Sequence, residues 1–185
     1  MTCMRLLPLF GLAMLALPAC GADTAARAAA VAAIFERHCL DAPPTFTSID
    51  ARATSEKFDV FEDRRIPISA DKAMHQKEWL IASGDGAHVM LTANDTVNGD
   101  IHVTGCGVYA PDVDADSLET ALSGLPRMGA AREHVSRPDG TVVTWWWAAL
   151  GMHAPSDDSK VMMSRNVPRN PGVNVNLIYR MHSAL

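Results

Sequence analysis

Apolar positions recur at helical spacing near the N-terminus and at strand spacing from Lys77 onward. Residues 21–33 are small and Ala-rich and grade into a helix ending at His38-Cys39, with Val31, Ile34, Phe35 and Cys39 as a narrow apolar stripe. Pro43-Pro44 forbids its continuation. A second helix is expected over 47–57, opened by a capping-box-like Thr47-to-Asp50 segment and burying Phe46, Ile49 and Ala53. From Phe58 to His75 no period emerges, and the run Glu62-Asp63-Arg64-Arg65 reads as a solvated loop.

Strands are expected over 78–83, 88–93 and 101–109. Gly84-Asp85-Gly86 turns the first pair and Asn98-Gly99 the second. With Asn98-Gly99 as a two-residue loop, Leu91 faces Cys106, Val89 faces Val108 and His102 faces Asp95. Alternation then puts Thr104, Cys106 and Val108 on one face.

Pro111 ends the third strand, and a helix over about 116–123 follows from Asp116, with Leu118, Ala121, Leu122 and Leu125 on its apolar side. Four more strands are expected over 132–136, 141–150, 159–165 and 173–181. The run 141–150 holds three of the four tryptophans and no charge, and the core is expected to form against it. The Pro138-Asp139-Gly140 turn pairs Val143 with Val135 and Trp145 with Glu133. In this register Val143, Trp145 and Trp147 point inward, while Arg132, His134, Thr144 and Trp146 point out. The expected fold is α+β: a curved antiparallel sheet of about seven strands, with two N-terminal helices and one inserted helix packed on one face.

Composition adds a destination. Arg5 followed by the apolar run 6–16 has the form of a signal peptide over 1–20, leaving 21–185 as one α+β domain. Leu17-Pro18-Ala19-Cys20 followed by Gly21 has the form of a bacterial lipobox, which assigns Cys20 to lipidation and the membrane as a partner. Pro18 is an unusual occupant of that motif, and ordinary cleavage near Ala22, giving a soluble periplasmic protein, is the alternative. The net charge of −5 gives no reason to approach nucleic acid. Of the four cysteines, Cys39 and Cys106 remain in the mature chain. In an oxidising compartment they are expected to pair, closing a loop of about 68 residues; free thiols or a metal half-site are the alternatives.

Candidate chemistry is thin. Ser69-Ala70-Asp71-Lys72 matches S-x-x-K without its companion motifs. Asp112, Asp114 and Asp116 lack the Gly and Glu of a calcium loop and read as helix-capping acids. Asp157-Asp158 reads as a solvated loop. Seven histidines show no metal-ligand spacing, so no cofactor is expected. Cys106 lies between Gly105 and Gly107, which favours close approach of a helix for a disulfide over an exposed nucleophile. Arg132, His134 and Trp146 form one outward set that has the look of a ligand site.

Cys20 after its signal, Phe35 and Cys39 late in the first helix, Trp79 in the first strand and Cys106 in the third carry a resemblance. On these residues the chain resembles a group of small uncharacterised exported proteins and lipoproteins of Gram-negative bacteria. The resemblance implies export and the disulfide, and no catalytic residue. The expected function is a non-catalytic binding or structural module of the cell envelope, with an envelope protein or a small ligand as partner. The alternatives are an enzyme with a site near Arg132, His134 and Trp146, and a metal-binding periplasmic module.

Overall fold

The computed structural model describes residues 19–41, 44–69, 72–82, 87–98, 101–128, 133–150, 159–168 and 172–182. Its helices are α1 (Ala19–Phe35), α2 (Phe46–Ser55) and α3 (Ala115–Ser123), with a π-helical turn, Glu36–Leu40, continuing α1. Its strands are β1 (Asp59–Ser69), β2 (Lys72–Ala82), β3 (His88–Asn98), β4 (Ile101–Ala110), β5 (Glu133–Ser136), β6 (Val142–Trp147), β7 (Ser159–Arg165) and β8 (Val173–His182). They form one open antiparallel sheet of eight strands in the order β1-β2-β3-β4-β8-β7-β6-β5. Each half is a four-strand meander, and the two last strands, β4 and β8, pair at the centre.

The Cys39–Cys106 disulfide joins the π-helical turn to β4, with Cα atoms 5.4 Å apart. Both residues are buried, as are Val31 and Phe35 of the predicted stripe and Thr104 and Val108 of the predicted face. The helix contacts converge on that face: Asp50 of α2 reaches Lys77, Phe46 stacks on His75, and Ser123 of α3 reaches Trp146. A continuous core from Ala28 to Leu177 fills the space between.

Several expectations are corrected. Among the described residues there are eight strands, because β1 occupies the stretch read as a loop. It is an edge strand exposed along almost its whole length, so it buries no alternate face and shows no period. Its charges, Pro67 and the irregularities after Val60 and Pro67 are the features that keep a free edge from pairing with other chains. Asn98 pairs with Ile101, so the β3–β4 register runs two residues beyond the predicted one and sets Ala93 against Cys106. A slip of two preserves the faces, and the predicted side assignment of Cys106 survives. The cap of α2 is Thr45, in a reciprocal capping box with Ser48 rather than at Thr47. The cap of α3 is Asp114, whose carboxylate accepts from the Ser117 amide, rather than Asp116.

The glycines beside Cys106 also serve another purpose than the one expected. Gly105 and Gly107 point away from the helices, and a Cβ on either would collide with the side chains of Asn94 and Asn176, their cross-strand partners. They make room for two amides on the far face, not for the disulfide.

The largest correction concerns the tryptophans. The predicted pairs Glu133–Trp145 and Val135–Val143 are present, so the register is as expected. Val143 is buried as expected, but the tryptophan faces are exchanged. Trp146 and Thr144 are fully buried, whereas Trp145 and Trp147 are half-buried. The pattern along β6 alone does not say which side is covered. The inserted helix α3 decides it by lying over the Thr144–Trp146 side, where Trp146 Nε1–H donates to Ser123 Oγ at 3.2 Å. Lys160 on β7 sits 4.4 Å over the Trp147 ring on the opposite face.

Candidate functional site

The covering helix leaves one flank facing a cleft. Within α3, Leu118 and Leu122 go into the core, while Asp116, Glu119, Thr120 and Ser123 fall along an adjoining stripe at i, i+3, i+4 and i+7. Opposite them stand His134 from β5 and Arg165 from β7. Together these six residues line a cleft of about 460 Å³, in the size range of small-molecule sites.

Its polar groups are paired. Glu119 is held from two sides: Oε1 lies 3.0 Å from His134 Nε2, and Oε2 accepts from the Thr144 hydroxyl at 3.3 Å. His134 Nδ1 lies 3.1 Å from the same Thr144 oxygen. The result is a closed ring of hydrogen bonds through Glu119, His134 and Thr144. Thr144 has one hydroxyl proton, which goes to Glu119 when the imidazole is doubly protonated and to Nδ1 when it is neutral with its proton on Nε2, facing Glu119. In each case both ring nitrogens have an internal partner. At the mouth, Arg165 pairs with Asp116.

This chemistry limits the site. A general base needs a ring nitrogen within hydrogen-bond reach of the proton it removes, and both nitrogens of His134 are engaged. Thr144 is a poor nucleophile here because it is fully buried. The His134 side chain is nonetheless 54% accessible, so its ring forms part of the cleft wall. The cleft is built to hold polar groups in place.

Of the predicted set, His134 lies on the cleft. Trp146 does not line it: it lies beneath the cleft wall as core, tied to Ser123, and the outward reading of its ring is withdrawn. Arg132 lies outside the described residues, as do His153 and Asp157-Asp158. Glu119, Thr144, Asp116 and Arg165 were not singled out as binding residues. Only the three- and four-residue spacing of Asp116, Glu119 and Ser123 hints at a polar helix flank. Asp114 and Asp116 are occupied by the Ser117 amide and Arg165, which removes two ligands from a calcium reading. Cys106 is spent in the disulfide. Among the described residues no three His, Cys, Asp or Glu side chains converge on one point.

Elsewhere His75 and His102 each find one carboxylate. His75 Nε2 lies 2.8 Å from Asp63, and His102 Nε2 lies 2.6 Å from Asp95, reached diagonally because the register sets His102 against Val97. The hydrogen bond from His75 holds the Asp63 carboxyl below the usual aspartate range.

His38 differs. It is buried beside the disulfide, its Nδ1 has no hydrogen-bond partner among the described residues, and Glu56 lies 3.6 Å from Nε2. Burial pushes its pKa below the ordinary 6.5, against the opposing pull of Glu56. The unfolded chain therefore takes up this proton at a higher pH than the folded one. Stability should fall as pH drops below about 6.5. Urea midpoints measured between pH 8 and pH 5 should decline for the wild type and flatten in this window for His38→Gln. Equal slopes for the two proteins would contradict the assignment.

Comparison of the chain with protein-family models, curated proteins and solved structures finds no match.

Proposed function

We propose that this is an exported cell-envelope protein that binds a small polar ligand without converting it, in the cleft between α3 and strands β5–β7. The observation that carries the reading is the engagement of both His134 nitrogens by Glu119 and Thr144. A cleft with charged walls whose one described histidine has both ring nitrogens engaged is suited to recognition. Its paired cations and anions suit a ligand with donors and acceptors of its own, such as an amino acid, a short peptide or a saccharide fragment.

The export half of the proposal rests on the segment 1–20, on the resemblance to small exported proteins, and on the disulfide, which is at home in an oxidising compartment. The membrane is then reached through acyl chains on Cys20. Residues 23–26 of α1 are exposed and Ala28 is the first buried side chain among the described residues, so roughly 12 Å of helix separates the anchor from the core. The mass of the mature N-terminus tests this directly. An acylated Cys20 is expected; an unmodified N-terminus at a later residue would leave a soluble periplasmic protein.

For the cleft, ligand-observed NMR with amino acids, short peptides and saccharide fragments is the test. At least one class should bind the wild type, lose binding to Arg165→Ala, and be recovered unchanged. Recovery of a converted product would overturn the binding reading in favour of an enzyme, and absence of binding by every class would overturn the cleft.

A further inference from the structure

The cleft between α3 and strands β5–β7 has its charges sorted by wall. The α3 wall carries two carboxylates one turn apart, Asp116 and Glu119, and the facing wall carries Arg165 and His134. With His134 neutral, two carboxylates against one guanidinium leave the lining with an excess of negative charge. Such a lining attracts a ligand that brings a positive group of its own.

Two local features say how that ligand is held. The first is an acceptor. A neutral His134 with its proton on Nε2 donates to Glu119 Oε1 and takes the single Thr144 proton on Nδ1. Glu119 Oε2 then faces, at 3.3 Å, a hydroxyl oxygen whose proton points elsewhere. Glu119 has no further hydrogen-bond partner among the described residues, and its side chain remains 18% accessible. A carboxylate oxygen short of a donor, with a second carboxylate one turn away, is a place for an ammonium, which has donors and no acceptor.

The second feature is the outer edge of Arg165. Its contact with Asp116 runs through Nη1 alone. The guanidinium is a planar fork, and its Nε and Nη2 groups remain to grip a carboxylate through two parallel hydrogen bonds. The cation of one wall thus stands directly beside the anions of the other. A ligand that answers both must carry its own opposite charges side by side, as an α-amino acid does across a single carbon. A peptide has them at opposite ends of its chain, and a neutral saccharide has neither.

We propose that the cleft binds a free α-amino acid by both charged groups of its backbone, an assignment that rests on the cleft being a binding site. The ammonium lies against Glu119 Oε2 and Asp116, and the carboxylate lies on the Nε–Nη2 edge of Arg165. Further along the same stripe of α3, Ser123 accepts from Trp146 Nε1 and keeps its own hydroxyl proton for an acceptor on the ligand's side chain.

Saturation-transfer NMR of the whole protein at pH 8, with the common α-amino acids in pools, tests the assignment. At least one should bind. Its N-acetyl and carboxamide derivatives, each lacking one of the two charges, should bind about tenfold or more weakly, the loss expected for a hydrogen bond to a charged group. Glu119→Gln and Asp116→Asn, the latter at an 81% exposed side chain, should weaken binding of the parent amino acid. Derivatives that bind as tightly as the parent, or wild-type affinity in both variants, would overturn the assignment. Binding of a short peptide or a saccharide alone, still lost in Arg165→Ala, would overturn it while leaving the binding site standing; absence of binding by every class would overturn both.

Discussion

Breaking the Cys39–Cys106 bond is expected to lower the unfolding free energy by about 4 kcal/mol, from the chain entropy released when a loop of this length is freed. The bond spans a sequence separation of 67 residues and joins the π-helical turn after α1 to the centre of the sheet. That loop contains α2 and all of β1–β3, so the unfolded chain regains a large ensemble when the link is lost. Cys39→Ala/Cys106→Ala, both fully buried positions, adds a packing loss to the entropic one. Urea unfolding with and without reductant should shift the wild-type midpoint and leave the double variant unmoved. A wild-type midpoint indifferent to reductant would mean the bond is absent in solution.

Trp146→Ala should cost about 3–5 kcal/mol, the range for truncating a fully buried large aromatic. Its ring is completely buried beneath α3, and its removal also leaves the Ser123 hydroxyl without the indole donor. Trp145→Ala should cost much less, under about 2 kcal/mol, because that ring is half-buried on the opposite face and only part of its area is recovered from water. The contrast between neighbours separates the two possible face assignments of β6. If Trp145→Ala proved the more damaging, α3 would not cover the side described.

How far the chain could be read follows from what each segment buries. Helix α1, the last four strands and the β5–β6 register were accessible because their apolar spacing or turn chemistry is strong. Gly140, for instance, takes the positive φ of 85° that the Pro-Asp-Gly turn requires. The pairing of Cys39 with Cys106 followed from elimination of the other two cysteines. Strand β1 was invisible because a free edge has no buried face to pattern. The spacing along β6 points to the opposite Trp146 orientation for a related reason. Both faces of β6 are apolar enough to be core, and the helix that chooses between them, α3, lies about twenty residues earlier in the chain. The cleft inherited that error. His134 was named, but its partners Glu119 and Thr144 come together only once α3 has been placed over the sheet.

That placement also carries the functional conclusion, since it is Glu119 on α3 that closes the hydrogen-bond ring around His134. The ring protons of His134, observed by NMR on protein labelled with ¹⁵N-histidine, test this most directly. Engagement by Glu119 and Thr144 predicts a ring N–H protected from solvent exchange in the wild type and lost in Glu119→Ala. A wild-type His134 ring with no protected proton would free a nitrogen for proton transfer and contradict the reading of this cleft as a site that binds without reacting.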